Sequence, residues 1–555
     1  MHETSSFLRP LYSIKHFKPR LNSVAVTLWC AIFLTLSQNN SLWKSILKVF
    51  DSYSFANIAF LASLFVVILL YINGILTLAS FKYIFKPVLI IVLLTSAVAS
   101  YFMDSYGILI DQSMIQNIME TNTAEARDLF SVQMVLHVAL WGILPSFILY
   151  RTNIVYRPFL RELITKLGVI GISLVIIAIV AFVFYKDYSS LGRNNRHLRH
   201  LINPVNYLYS LGSYMKQSAG IKVVTIEPLE HDAKLADGSQ QREKKTLFVF
   251  VLGETARADH FSLNGYSKNT NPALSKENII NFPNFHSCGT ATAVSLPCIF
   301  SDLGREDYSD GYAKQHENLL DIIQHAGIQV LWRDNNTGCK GICQRIESEN
   351  MVNLKVPDLC NDTECYDEIL LHKLQERFEK LDRDMVIVLH QNGSHGPAYY
   401  LRYPEAFKKF TPVCETNQLQ DCTQEEISNA YDNTILYTDY FLSKVINLLK
   451  NNSDRYNTAM MYLSDHGESL GENNLYLHGM PYFIAPETQT HVPFLAWLSS
   501  SFEGVSNLDD ACIRQQQNSS LSHDNIFHSI LGLLKIETAI YNPKFDIFAA
   551  CIKKQ

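Results

Sequence analysis

At 555 residues, with 47 Lys and Arg against 53 Asp and Glu, the chain is long enough for more than one domain. Its net charge of −6 gives no reason to expect a nucleic-acid partner. Residues 1–220 hold 18 basic and 9 acidic residues, which leaves 29 against 44 for the rest, so a basic, apolar half precedes an acidic, soluble-looking one.

Apolar stretches of bilayer-crossing length lie near residues 22–38, 55–79, 85–103, 132–150 and 167–185, and predict five transmembrane helices. The first is the most dilute, interrupted by Thr27, Ser37 and Gln38. No small-residue cleavage site follows it, so it reads as an anchor rather than a signal peptide. Arg9, Lys15, Lys18, Arg20, Lys82, Lys86, Arg151, Arg157, Arg161 and Lys166 fall on one side of such a bundle, and Lys44, Lys48 and Arg127 on the other. Basic residues near span ends stay in the cytoplasm, so the amino terminus is expected inside and everything after residue 186 outside. Lys186, Arg193, Arg196 and Arg199 oppose this, but they lead into a long translocated domain, where charge counts for little.

Residues 1–186 therefore read as a five-helix transmembrane domain and residues 187–245 as a polar linker. Within the linker, Leu201–Met215 mixes aromatic, aliphatic and polar residues and reads as an interfacial helix. From residue 246 to 555, short apolar runs alternate with longer polar-apolar segments, the pattern of a parallel sheet covered by helices. The expected strands are Leu247–Leu252, Gln329–Trp332, Met385–Leu389, Ala459–Leu463 and Pro493–Trp497. Polar turns follow nearly all of them. Ligands bind at the carboxyl ends of strands in such sheets, so these turns should meet in one cleft.

Apart from Cys30, every cysteine lies beyond residue 286. Eight are close neighbours: Cys288/Cys298, Cys339/Cys343, Cys360/Cys365 and Cys414/Cys422, with Cys512 and Cys551 as a possible fifth pair. An oxidising compartment favours disulfides; the rival is a zinc site from Cys339, Cys343, Cys360 and Cys365.

Carboxylates and imidazole drawn to one point suit zinc, and strand ends offer them: Glu254 after the first strand, Asp465 and His466 after the fourth. A lone Asp-His after a strand is usually only a turn; two strand ends each delivering an acid are more telling. In Ser287–Cys298, the bland reading is a disulfide-closed turn with threonines as helix caps. The alternative is a nucleophile, Thr290 or Thr292, at a helix start, activated by a metal.

Taken in order, Gly253-Glu254-Thr255-Ala256-Arg257, Cys288-Gly289-Thr290-Ala291-Thr292, Trp332-Arg333-Asp334-Asn335-Asn336, Gly393-Ser394-His395-Gly396-Pro397 and Ser464 through Glu472 resemble the motifs of the phosphoethanolamine transferases of Gram-negative inner membranes. These enzymes include the lipid A transferases and the mobile colistin resistance determinants, within the alkaline phosphatase-like superfamily. The resemblance covers essentially the whole chain. It implies an α/β extracytoplasmic domain of alkaline phosphatase/sulfatase-like architecture in the periplasm, on a multi-pass inner-membrane anchor. It also implies that Glu254, Thr292, Asp465 and His466 bind zinc, and that Thr292, the second threonine, becomes phosphorylated. Lys340, His395 and His478 match positions that contact the phosphate or a second metal. Asn117, Thr121 and Glu125 recur every four residues, which is one polar face if helical; the family reading is that they hold ethanolamine, and the bland one a solvated face. The expected donor is phosphatidylethanolamine, the expected acceptor lipid A, the expected state a monomer, and the expected consequence lower polymyxin susceptibility.

Three rivals remain. A sulfatase would need Arg where Ser295-Leu296-Pro297-Cys298-Ile299 has Ile299. Glycerophosphate transferases share five spans but lack the ethanolamine-loop match. A non-catalytic lipid-binding membrane protein would have no use for a full ligand set. Core sugars, Kdo or heptose, are the alternative acceptors.

Overall fold

The computed structural model describes residues 18–50, 54–121, 123–220, 226–237, 242–361 and 364–553. The chain divides into two compact units, Met1–Gln112 with Ser131–Ser213, and Ser113–Phe130 with Tyr214–Gln555.

The first unit is helical apart from a short parallel pairing of Arg20–Asn22 with Asn153–Val155. It starts with α1 (Ser23–Ser37), α2 (Phe55–Leu78) and α3 (Phe85–Tyr106). Next come α4 (Gln112–Glu120) and α5 (Thr123–Asp128), which group with the second unit from Ser113 onward. Then follow α6 (Val132–Arg151), α7 (Phe159–Val183) and α8 (Val205–Gly220). Among the described residues, α2, α3, α6 and α7 are long and apolar enough to cross a membrane. The fifth expected span, α1, is apolar but has 15 residues, about 22 Å against a hydrocarbon core of about 30 Å. It stops where its sequence turns polar: Ser37 is its last residue and Gln38 its cap. On α7, Leu167, Ile172, Leu174 and Val175 all point outward, the inverse of a water-soluble helix and the arrangement suited to lipid.

The stretch expected as a linker is helical over Tyr185–Asn194, Arg196–Leu201 and α8, the last overlapping the expected interfacial segment. Asn203, just before α8, is buried and exchanges amide bonds with buried Asn39. Its backbone N–H donates to Asn39 Oδ1 at 2.9 Å, and Asn39 Nδ2 donates to Asn203 O at 2.7 Å. Most buried amide groups are satisfied in this way, although Asn203 Oδ1 itself has no hydrogen-bond partner among the described residues.

The second unit is built on seven strands: β1 (Lys245–Gly253), β2 (Ile280–Asn281), β3 (Gln329–Asp334), β4 (Glu347–Asn350), β5 (Met385–His390), β6 (Tyr456–Ser464) and β7 (Phe494–Leu498). Their order is β2-β7-β6-β1-β5-β3-β4. The run Leu-Phe-Val-Phe-Val-Leu of β1 does not alternate because both faces of this central strand are covered. All five expected strands are present. The sheet is parallel from β6 to β4, whereas β7 runs antiparallel to β6 and β2 antiparallel to β7. Two further helices bear on the site. Helix α9 (Thr292–Ile299) follows the Cys288 turn, and α10 (Gln424–Lys450) opens with a capping box between Thr423 and Glu426. Disulfides join Cys288–Cys298, Cys339–Cys343, Cys360–Cys365, Cys414–Cys422 and Cys512–Cys551, which removes the four-cysteine zinc site; Cys30 is free and buried in α1.

Candidate active site

The register that sets Ser464 opposite Gly253 delivers Glu254 and Asp465 from adjacent strand ends, and Asp465 N donates to Gly253 O at 3.1 Å. One ligand atom from each of Glu254, Asp465 and His466 lies within 4.8 Å of the other two, and all three side chains are buried. Thr292 is the first residue of α9. Its Oγ1 is 3.1 Å from Glu254 Oε2, 3.3 Å from Glu254 Oε1 and 3.4 Å from His466 Nε2. The Thr290 hydroxyl is turned elsewhere and donates to Met480 O at 2.6 Å. The turn that leads into them is tight: a Cβ on Gly289 would fall 2.6 Å from Ser295 Oγ.

His466 Nδ1 donates to Gly467 O at 2.9 Å. That bond leaves Nε2 to face Glu254 Oε1 at 3.3 Å and Asp465 Oδ2 at 3.4 Å. Asp465 Oδ1 accepts from Thr255 N at 3.2 Å and His466 N at 2.8 Å, while Oδ2 is buried with no hydrogen-bond partner among the described residues. Burial, then the nearby Glu254 carboxylate, pushes the Asp465 carboxyl up to about 6. Burial would raise Glu254 as well, but the bond to His466 and the charge of the neighbouring imidazoles hold it well below the usual range. Burial lowers His466, and the two carboxylates more than offset this to bring it to about 9. Two crowded carboxylates, a freed imidazole nitrogen, a hydroxyl and an orphaned carboxylate oxygen form a donor set that fits a divalent transition metal.

Around this cluster, Asn336 at the end of β3 donates Nδ2 to Glu254 Oε2 and to Gln391 O, both at 2.8 Å. It closes the Trp332–Asn336 motif, and its pairing with Glu254 is set by the fold rather than by any local pattern. The His478 ring centroid is 4.4 Å from that of His466 and 5.3 Å from that of His395, so both expected histidines sit beside the cluster. His478 Nδ1 is 3.2 Å from Glu468 Oε2. Lys340 Nζ donates to Thr337 Oγ1 at 2.9 Å and lines a cavity of about 470 Å³ with Glu120, Lys314 and Arg345.

The polar face of Asn117, Thr121 and Glu125 presumes one continuous helix, but α4 ends at Glu120 and α5 begins at Thr123. The Thr121 hydroxyl donates to Asn117 O at 2.7 Å. Residue 122 and the Glu125 side chain lie outside the described residues. A residue of α4 that reaches α9 is Gln116, one position off that series. It is buried, and its Nε2 donates to Ala293 O at 3.3 Å and Asp310 Oδ1 at 3.2 Å. A glutamine four residues before a glutamate looks like a surface pair in sequence, and no local pattern announces its burial.

Residues 246–536 match the Sulfatase family, and residues 68–219 match the family described as Phosphoethanolamine transferase EptA/EptB. The chain is 44% identical to Phosphoethanolamine transferase EptA of Escherichia coli K12, over 96% of this chain and 98% of that protein. It is 39% identical to Phosphatidylethanolamine transferase Mcr-1 from Escherichia coli, over 91% and 94%. The structure is similar to that of the integral membrane protein lipooligosaccharide phosphoethanolamine transferase A from Neisseria meningitidis, with a TM-score of 0.93, 37% identity and coverage of 97% and 100%.

Proposed function

The chain belongs to the phosphoethanolamine transferase family of the EptA and Mcr proteins, and from that premise we propose that it moves phosphoethanolamine from phosphatidylethanolamine to a phosphate of lipid A through a phosphorylated Thr292. The observation that carries this reading is the Thr292 hydroxyl lying against Glu254 and His466 at the start of α9, while the Thr290 hydroxyl is spent on Met480. The name of Mcr-1 supports the donor, and the meningococcal protein's action on lipooligosaccharide supports the acceptor class.

Glu254, Thr292, Asp465 and His466 would hold zinc. When bound, zinc supplies a lowered hydroxyl pKa and positive charge for the phosphoryl oxygens. Thr292 Oγ1 attacks the phosphorus of phosphatidylethanolamine. The bond to diacylglycerol breaks, its oxygen leaves with the electron pair and takes up a proton, and phosphoethanolamine stays on Thr292. A phosphate oxygen of lipid A then attacks the same phosphorus and the Thr292 oxygen leaves. Phosphoryl transfer needs mainly positioning and charge neutralisation, which His395, His478 and Lys340 supply at the nonbridging oxygens. Asn117 in α4, Thr121 just after it and Glu125 in α5 are assigned to the ethanolamine end as separate contributions rather than one helical face, the Glu125 charge suiting its ammonium.

We place residues 1–186 in the bacterial inner membrane, 187–245 as the connecting segment and 246–555 as the catalytic domain in the periplasm. Four crossings would leave the amino-terminal segment and the catalytic domain on one side; loop charges and disulfides argue for opposite sides, so α1 is the fifth crossing. Ethanolamine on lipid A offsets the phosphate charge that attracts cationic peptides, hence lower polymyxin susceptibility.

The test is to incubate the purified full chain, zinc-loaded, with phosphatidylethanolamine and digest it for mass spectrometry. A phosphoethanolamine mass on the peptide containing Thr292, with diacylglycerol released, is expected. Release without that label overturns the covalent route, and no release overturns the donor.

A further inference from the structure

Thr255, the residue after Glu254, has φ 52°, in the left-handed region that a β-branched residue rarely adopts. Its hydroxyl is buried without a hydrogen-bond partner among the described residues, so the side chain does not hold this conformation by itself. The backbone is gripped from outside. Tyr431, on α10, donates its hydroxyl proton to Thr255 O at 2.6 Å and accepts from Arg257 N at 2.9 Å. Single bonds hold the neighbouring groups: Thr255 N donates to Asp465 Oδ1 at 3.2 Å, Ala256 N to Ser464 Oγ at 2.7 Å, and Ser394 N to Glu254 O at 3.0 Å. The Tyr431 hydroxyl touches the turn on both sides of Ala256. Its ring is buried and set edge-on to His260 and Tyr399, with centroids 5.1 Å and 5.5 Å away.

We infer that Tyr431 is a positioning residue of the active site, whose hydroxyl holds the strained Thr255 peptide and thereby fixes the direction in which the Glu254 carboxylate leaves the end of β1. Strained backbone persists only where its surroundings over-determine it. Without the hydroxyl, Thr255 relaxes toward an ordinary φ and carries Glu254 with it. The inference rests on the reading of Glu254 as a zinc ligand; Tyr431 itself touches neither substrate nor metal.

The experiment uses the full chain in detergent and the variant Tyr431→Phe, which keeps the ring packing. Zinc affinity is measured by competition with a chromophoric chelator, beside kcat and KM for transfer and the Tm. Zinc binding about 10-fold weaker is expected, as for other groups that orient a metal ligand, with kcat reduced and KM unchanged. Glycine adopts the left-handed region freely, so Tyr431→Phe combined with Thr255→Gly should regain wild-type affinity and kcat, a rescue that a merely structural tyrosine would not allow. Equal affinity and kcat in wild type and Tyr431→Phe, or a loss that Thr255→Gly does not restore, overturns the inference alone. A wild-type protein that binds no zinc overturns the metal reading and this inference with it. Should Tyr431→Phe fail to fold, Thr255→Gly in the wild-type background is the second variant: a raised Tm supports the strain and a lowered one overturns it.

Discussion

Asn336 Nδ2 lies 2.8 Å from Glu254 Oε2, so a side chain at the end of β3 restrains a carboxylate at the end of β1, two strands away in the sheet. The second bond of the same amide group, to Gln391 O, ties it to the end of the strand between them.

Removing that restraint should loosen the Glu254 carboxylate without unfolding the domain. Asn336→Ala is expected to lower transfer activity about 10- to 100-fold with little change in Tm. Asn336→Asp should be worse, because it loses the donor and brings a third carboxylate to the cluster. Initial rates and zinc content of the two variants check this; activity equal to wild type in Asn336→Asp would contradict it.

The two threonines of the turn should separate cleanly. Thr292→Ala is expected to fold normally and lose transfer by more than about 1,000-fold, the scale seen when a nucleophile is deleted. Thr290→Ala forfeits only the bond to Met480 O and should keep most of the activity. Rates for both at matched expression decide between them, and the opposite ranking would move the nucleophile to Thr290.

His523 couples the site to pH. Cys288 N donates to its Nδ1 at 3.1 Å and its Nε2 donates to Ser464 O at 3.0 Å, so the ring bridges the Cys288 turn and the end of β6 in its neutral form. Burial, with the nearby His466 adding to it, lowers its pKa to about 3. The unfolded ring titrates near 6.5, so the stability it contributes is complete above 6.5 and is lost as pH falls from there through about 3. Asp439 and Asp546, which burial raises to about 6, act in the opposite sense below that pH, so the variant rather than the bare profile is informative. The Tm of His523→Gln should fall less than that of wild type between pH 7 and 4.5; parallel curves would refute the assignment.

The disulfide Cys512–Cys551 closes a separation of 39 residues, far longer than the other four. In the chain-entropy account it should contribute about 4 kcal/mol. Cys512→Ser with Cys551→Ser should therefore lower the Tm by several degrees, whereas the Cys339/Cys343 double variant should cost less. Thermal melts of the two variants under oxidising conditions test the ordering.

The central strands were legible because a strand buried on both faces is written as an unbroken apolar run, and Glu254, Asp465 and His466 were legible because they follow such runs directly. Strand direction is not encoded in a run, so the antiparallel setting of β7 was not foreseen. The two-residue β2 and four-residue β4 are too short to carry a pattern. The Cys288 turn showed two threonines, and their difference emerges from Met480, which is 190 residues from Thr290 in sequence. Gln116 and Tyr431 were illegible for the same reason: a buried polar group is defined by its partner, and Tyr431 meets Thr255 across 176 residues. Thr27, Ser37 and Gln38 marked the first span as dilute but did not announce that its helix would stop after 15 residues.

The most direct test of the central claim is mass spectrometry of lipid A from a Gram-negative host expressing the full chain, beside Thr292→Ala at equal level. A gain of one phosphoethanolamine mass with the wild type and none with the variant is the predicted result. An unmodified lipid A from cells holding folded wild-type protein in the membrane would contradict lipid A as acceptor, and modification by Thr292→Ala would contradict the nucleophile.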